Sequence, residues 1–454
     1  MKVVVVGGGI AGLATARRLE ALGCDPVLLE RDAVLGGKIR TERVDGFVIE
    51  AAPDSFLSRK ERGVGLCEEL DLGDELIGRR PEHARTYVRR GDDLHPLPEG
   101  LTGMIPTNLD ALEHGSLLSE AGVARFREET DVPVVLGDAD ESVASFIVRR
   151  FGREAYDALV EPLMTGIYGG DGEQMSLQAT FPQLRAVEVE HGSLLRGLPA
   201  PAPSQWPPFV SLRDGMGALV ARLVESLERT RILTGTAAVH VSRTSSGYEV
   251  SLADGGALTA DGVVLATPAF ATGELLAALD DELAVLHAEI PYASSVVVTL
   301  GFSRSEVVPL DGYGYLVPRT EGSDVLACTW SSQKWEGRAP GESALVRVYT
   351  GRFGGRDLTI DSGDELVALA REELRRLDVA AEPTLVRVHR WPSGMPQYLL
   401  GHPERLAAIA ARVAELSGLG LAGAAYRGVG IPDCIASGEA AAESVARALA
   451  GARA

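Results

Sequence analysis

The sequence predicts an α/β protein whose opening segment begins a doubly wound parallel sheet, and which is α+β once the rest of the chain is added. Three observations predict it. Residues 2–6 (KVVVV) are an unbroken β-branched run, as a strand buried on both faces requires. The string Gly7-Gly8-Gly9-Ile10-Ala11-Gly12 follows at once and leads into a helical stretch near 10–22 that Gly23 ends. Residues 26–30 (PVLLE) then make a second strand, so the segment reads as a βαβ unit.

The remaining elements follow in order. Residues 80–170 carry helical spacing, in Leu109, Leu112, Leu117 and Leu118 and again in Val143, Phe146, Ile147 and Phe151, and read as a mostly helical insertion. A proline-rich loop occupies Pro199–Pro208. Arg213-Asp214-Gly215-Met216-Gly217 leads into an amphipathic helix, and 232–267 alternates in period two around a turn at Asp254-Gly255-Gly256. A β-rich section covers about 292–350 and resumes near 384–391. Residues 419–449 read as strand, loop and small-residue helix. No repeat is visible and no low-complexity linker apart from the proline-rich loop, so the domains are expected to be interleaved along the chain.

Composition bounds the function. The chain has 454 residues, enough for two or three domains. Its net charge of −20 disfavours nucleic acid and anionic lipid. An anionic substrate would therefore need a local basic patch. The four cysteines, Cys24, Cys67, Cys328 and Cys434, stand more than forty positions apart, which gives neither a metal-ligand spacing nor a disulfide framework and suits a reducing cytoplasm. Lys2, the apolar run and Ala14-Thr15-Ala16 mimic a secretory signal, but Gly7, Gly8, Gly9 and Gly12 weaken a helical signal core. No apolar run approaches the roughly 18 residues of a membrane span, which leaves room for peripheral membrane contact only.

The glycine string fits the dinucleotide fingerprint GxGxxG. Gly7 makes the tight turn, Gly9 lets a pyrophosphate approach the backbone, and Gly12 lets helix and strand pack closely. The helix N-terminus offers free N–H groups and the positive end of its dipole. Glu30, 18 positions after Gly12, is placed for a ribose diol. FAD and NAD share this pattern. Leu35-Gly36-Gly37-Lys38 adds a backbone and cationic contact that favours FAD. At the other end, Gly428-Val429-Gly430-Ile431-Pro432 opens a helix whose N-terminus suits negative charge on a reduced flavin.

With these strings and several others, the chain resembles the protoporphyrinogen/coproporphyrinogen oxidase family, and most closely its soluble bacterial branch, nearly end to end. The further strings are Ala52-Pro53-Asp54-Ser55-Phe56 (the family has glycine where Ala52 stands), Leu94-His95-Pro96-Leu97-Pro98 and the segment Glu161–Asp171. Gly312–Pro318, Trp391, Met395-Pro396-Gln397-Tyr398, Gly401-His402 and Tyr426–Cys434 complete them. The resemblance implies a monoamine-oxidase-like architecture. A Rossmann-like, two-dinucleotide-binding FAD domain would come from 1–58, 208–272 and 410–454. A mixed-sheet substrate domain would come from 59–79, 171–207 and 273–409, and a helical domain contacting membrane or partners from 80–170.

It also implies residue roles. Gly7, Gly8, Gly9, Ile10, Ala11, Gly12, Glu30, Arg31, Gly37 and Lys38 would hold the adenosine and pyrophosphate, with Ala238 beside the adenine. Ala52, Pro53, Asp54 and Ser55 would reach the ribityl chain and ring, and Trp391, Val429, Gly430 and Ile431 would border the ring. His95, Gly166, Ile167, Gly314, Leu316 and Tyr349 would line the substrate cavity, His95 meeting a propionate, with Arg59, Lys60 and Arg90 as further candidates. Flavin carries the chemistry, so no catalytic side chain and no metal are expected. The implied reaction removes six electrons from coproporphyrinogen III by hydride transfer, reduces dioxygen to hydrogen peroxide, and gives coproporphyrin III, with protoporphyrinogen IX to protoporphyrin IX as the alternative. Handover to a ferrochelatase, as monomer or homodimer, follows by the same resemblance. The alternatives are a flavin amine oxidase or carotenoid desaturase, an NAD(P)-dependent dehydrogenase, and a non-catalytic flavin- or haem-pathway binding protein.

Overall fold

The computed structural model describes residues 1–137, 139–199, 205–303 and 311–452; positions 200–204 of the proline-rich loop lie outside them. A five-stranded sheet, in the order Arg231–Leu233, Asp25–Leu29, Lys2–Val6, Gly262–Leu265 and Leu419–Leu421, is parallel throughout. The valine run is its central strand, and Val3, Val4 and Val5 are fully buried. One face packs the helices Ile10–Ala21 and Ile431–Gly451, and the other packs Val241, Tyr248 and Val250 of a three-stranded meander. The two helices touch: a Cβ on Gly438 would stand 2.2 Å from the Ala11 carbonyl oxygen, and the Thr15 hydroxyl donates to the Gly438 carbonyl at 3.0 Å.

A second sheet has seven strands, in the order Leu385–Pro396, Tyr292–Ser303, Ser343–Thr350, Val325–Trp330, Gly314–Leu316, Thr86–Arg90 and Asp93–Pro96. All neighbours are antiparallel except Gly314–Leu316 and Thr86–Arg90. Period-two alternation gives it two faces. Val296, Val298, Leu300, Val346, Val348 and Cys328 bury against Leu366, Ala370 and Leu374 of the helix Gly363–Arg375. On the opposite face Leu345 packs with Phe47 and Ile49 of the strand Phe47–Glu50.

The third part is helical and differs from the expected 80–170 at both ends. Thr86–Arg90 and Asp93–Pro96 are a hairpin of the seven-stranded sheet, turned at Gly91-Asp92, so the helices begin at Leu109. Beyond 170, Leu177, Leu184 and Leu194 join the same buried cluster as Phe126, Phe146 and Phe151, so the segment expected in the substrate domain belongs with these helices. Packing assigns both stretches: each puts its apolar residues where they lose water. A buried charge network crosses this unit. The Arg150 guanidinium donates to Glu129 and pairs with Glu188, all three fully buried, and Glu129 also accepts from the Leu194 N–H at 2.8 Å. No helix among the described residues is long and apolar enough to cross a membrane.

Candidate active site

The glycine turn is built as its spacing requires. Gly7 has φ 109°, and a Cβ there would meet the Ala266 carbonyl oxygen at 2.6 Å. A Cβ on Gly12 would stand 1.8 Å from the Gly7 carbonyl oxygen, so only glycine lets the helix lie this close. At Gly9 an added Cβ would meet nothing within 4 Å. Gly9 caps the helix Ile10–Ala21 without a side-chain hydrogen bond, and the first turn holds no acidic residue. Its N–H groups are left for an anion from outside the helix. Ile10 and Ala11 are buried behind them.

Glu30 does more than its spacing suggests. Its carboxylate accepts from the Gly8 N–H at 2.7 Å and the Asp32 N–H at 2.8 Å, and so braces the glycine turn from the end of the second strand. The chain from the neighbouring strand arrives beside it, with the Thr236 N–H donating to the Glu30 carbonyl at 2.8 Å, which brings Ala238 to this end of the cradle. Arg31 is exposed there. The Gly36-Gly37 pair folds onto the turn: the Gly36 N–H donates to the Gly8 carbonyl at 2.8 Å, and a Cβ on Gly37 would lie 3.3 Å from the Gly9 Cα. Lys38 follows. Its ammonium has no hydrogen-bond or ion-pair partner among the described residues, and burial holds it below the usual lysine range. A cationic group without a partner, beside open space at a helix N-terminus, fits a pyrophosphate.

The segment Ala51–Ser55 runs along the seven-stranded sheet. The Trp391 indole N–H donates to the Ala51 carbonyl at 3.0 Å, and Arg347 Nη2 donates to the Ala52 carbonyl at 2.5 Å. Ala52 lies outside the left-handed region, so alanine is unstrained at this position. The buried Asp54 carboxylate accepts from Lys334 Nζ at 3.0 Å, the Trp335 indole at 3.1 Å and the Ser55 hydroxyl at 2.7 Å. Lys334 and Arg347 together hold it well below the usual carboxylate range. An acid so placed is a structural anion and a poor proton acceptor. Pro53 lies between these anchors.

The C-terminal loop meets the helix Glu61–Glu69 that follows this segment. A Cβ on Gly63 would lie 2.8 Å from Pro432 Cγ, and Lys60 Nζ pairs with Asp433 at 2.6 Å. Lys60 is thus engaged at the helix cap, where Asp433 accepts from the Gly430 N–H at 3.1 Å. Gly430 caps the helix, Ile431 is buried, and Val429 packs against the helical cluster. The Tyr398 hydroxyl donates to the Ala424 carbonyl at 2.6 Å and accepts from the Gly428 N–H at 2.9 Å, clamping the loop. Its ring stacks on His402, with centroids 4.3 Å apart.

Of the expected cavity residues, His95, Leu316 and Tyr349 fall on one rung of the seven-stranded sheet. His95 pairs with Val88, Val88 with Leu316, Leu316 with Ala327, Ala327 with Tyr349, Tyr349 with Val297, and Val297 with His389. This is one continuous rung across all seven strands, so His95, Leu316 and Tyr349 share one face. Gly314 stands on the adjacent rung with Thr329, Arg347 and Thr299. The helix Glu161–Tyr168 lies over it: a Cβ on Gly166 would meet Leu316 Cδ2 at 3.0 Å, and Ile167 is exposed. Glu161 fastens that helix, accepting from the Arg319 N–H at 2.9 Å. His95 already has a neighbour, Ser116 Oγ at 2.8 Å from Nδ1. Arg59 is exposed, and Arg90 is half-buried beside the hairpin turn. Sequence reasoning missed Lys334, Trp335 and Arg347. The alternation Val346-Arg347-Val348-Tyr349 was the available signal, since it puts Arg347 on the same face as Tyr349.

Residues 10–446 match the family of flavin containing amine oxidoreductases. Coproporphyrinogen III oxidase of Bacillus subtilis is 34% identical over 97% of this chain and 96% of its own, and that of Staphylococcus aureus is 30% identical over 98% of both. Human protoporphyrinogen oxidase is 32% identical over 98% of both. A crystal structure from Exiguobacterium sp. 255-15, provisionally named a protoporphyrinogen oxidase, superposes with a TM-score of 0.89 at 34% identity over 98% of both chains. Cyclohexylamine oxidase of Brevibacterium oxydans, at 16% identity and a TM-score of 0.70, shares the fold. The chain therefore belongs to the flavin containing amine oxidoreductases, in the family of the coproporphyrinogen III and protoporphyrinogen oxidases, and is an oxidoreductase whose cofactor is FAD.

Proposed function

We propose that this enzyme oxidises coproporphyrinogen III to coproporphyrin III, with dioxygen as the terminal acceptor and hydrogen peroxide as the by-product. Six electrons and six hydrogens leave the substrate, so three dioxygen molecules become three peroxides. The observation that carries the substrate choice is near-full-length similarity, at 30–34% identity, to several bacterial proteins of that name. FAD supplies the hydride acceptor. Gly7 to Gly12, Glu30, Gly37 and Lys38 would hold its adenosine and pyrophosphate, with Ala238 and Arg31 at the adenine end. Ala52 to Ser55, Trp391 and Val429 to Ile431 would border the ring. The rung of His95, Leu316 and Tyr349, with Gly314 and the Gly166-Ile167 helix, would hold the tetrapyrrole flat against that trough. No side chain of this face needs to act as a base: Asp54 is committed to four partners.

The test is to purify the protein, record its flavin spectrum, and follow porphyrin fluorescence and peroxide with each porphyrinogen separately. A higher kcat/KM on coproporphyrinogen III is the expected result. Preference for protoporphyrinogen IX would move the enzyme to the reaction named for the human relative. A yellow protein inert to both would overturn the substrate reading.

A further inference from the structure

The Ala52–Ser55 segment is surrounded by more buried cationic groups than anionic ones. Arg347 and Arg338 have side chains 1% exposed, and Lys334 lies with them; the opposing carboxylates are Asp54 and Glu50. Burial pushes the Glu50 carboxyl up, which weakens its share of the compensation. Arg79 adds a further guanidinium, stacked between the Phe209 and Tyr313 rings at 5.2 and 4.7 Å. Burial lowers its pKa, with Asp54 among the opposing charges it senses.

The excess is visible in unmet hydrogen bonds. Arg347 makes one well-formed bond, to the Ala52 carbonyl, and its Nη1 stands 3.7 Å from Asp54. Its Nε and Nη1 have no hydrogen-bond partner, nor has the hydroxyl of Thr299, the residue paired with it across the sheet. A buried guanidinium with idle donors is costly unless an anion completes it. Arg347 stands on the cavity face, with its guanidinium 5.0 Å from the Tyr349 ring. It and Lys334 spend their bonds on the Ala52 carbonyl and Asp54, not toward His95 at the far edge of the sheet.

We infer that Lys334 and Arg347 form a buried positive field beneath the flavin ring, held in place by Asp54 and the Ala52 carbonyl, which completes its charge balance when the ring becomes negative on reduction. This rests on the reading that Ala52–Ser55 lies at the ring. Both are positioning residues: they act through the loop and the field. The inference is independent of which porphyrinogen is oxidised.

The experiment uses the flavin-loaded enzyme and no porphyrinogen. The midpoint potential is measured by dye-coupled reductive titration. The affinity for sulfite, which adds to the oxidised ring and leaves it negatively charged, is measured from bleaching of the flavin band. Lys334→Met and Arg347→Met are each expected to weaken sulfite binding at least tenfold and to disfavour two-electron reduction by a similar factor. That factor corresponds to a fall of about 30 mV. Lys334→Arg, which keeps the charge, is expected to retain both values. Arg347→Met carries the test alone if Lys334→Met fails to hold FAD. Unchanged potential and sulfite affinity in a flavin-loaded variant would overturn the inference. Failure to turn over either porphyrinogen would sink the substrate reading and leave this one intact.

Discussion

Adding one methyl group at Gly9 separates cofactor binding from folding. Gly9 has φ −72° and ψ 178°, a conformation open to alanine, and its new Cβ would meet nothing within 4 Å. The apoprotein loses only the difference between glycine and alanine at a helix cap, on the order of 0.5–1 kcal/mol. On the proposed placement of FAD, the same methyl would occupy the approach of the pyrophosphate. Displacing one charge-assisted hydrogen bond from the helix N-terminus costs about 1.5–3 kcal/mol, which is roughly 10- to 150-fold in Kd. Gly12→Ala behaves oppositely. Its Cβ would fall 1.8 Å from the Gly7 carbonyl oxygen, so strand and helix must separate, at about 1–3 kcal/mol or more in the apoprotein itself. The assay is FAD titration of flavin-stripped protein by fluorescence quenching, with thermal unfolding of the same samples. Unaltered FAD affinity in Gly9→Ala would place the pyrophosphate elsewhere. Equal destabilisation of the two apoproteins would refute the argument that one glycine serves the ligand and the other the packing.

Four further outcomes follow from particular contacts. His402 is fully buried and its pKa is pushed down to about 4 by burial, against 6.5 for the free group. Its contribution is therefore full above about pH 6.5, declines as pH falls and is lost through pH 4. The shift corresponds to about 3 kcal/mol, and urea unfolding of His402→Gln should lack that part of the pH dependence. Glu129→Gln leaves Arg150 poorly compensated in the helical cluster and should destabilise by about 3–5 kcal/mol in chemical denaturation, much of which adding Arg150→Met restores. His95→Ala should raise KM for a free-acid porphyrinogen more than it lowers kcat; equal effects on ester and free acid would remove the propionate contact. Tyr398→Phe removes both hydrogen bonds to the loop before Gly430, about 1 kcal/mol each, and should speed FAD dissociation.

The first sheet was legible because local chemistry dictates it. The valine run, the glycine turn and Glu30 each mean the same thing at the level of sequence pattern and of packing. The face proposed for the substrate was not legible in that way. His95 lies more than 200 residues before Leu316 and Tyr349, and the three share a face only through strand register, so family strings rather than periodicity pointed to them. The hairpin at 86–96 was hidden within a helical region, although Gly91-Asp92 between two alternating runs is a turn signal. The segment 177–197 gives no local sign of which core it joins; only the burial of Leu184 and Leu194 beside Phe126 does. Buried charges such as Lys334 and Arg347 carry no motif, because a charged residue in a strand reads first as a solvated one.

The order of strands in the first sheet also governs when the protein can exist during its own synthesis. Its central strand is the first to leave the ribosome, yet one neighbour begins at Gly262 and the edge strand at Leu419. The helix that packs on the first glycine-capped helix ends at Gly451. At about 5–20 residues per second, the opening βαβ unit waits on the order of half a minute or more for the segments that cover it. During that time its apolar faces stay uncovered, which is the condition that favours aggregation. A nascent chain truncated before Leu419 would lack both that edge strand and the helix Ile431–Gly451 that packs on Ile10–Ala21, so the sheet is covered only late in synthesis.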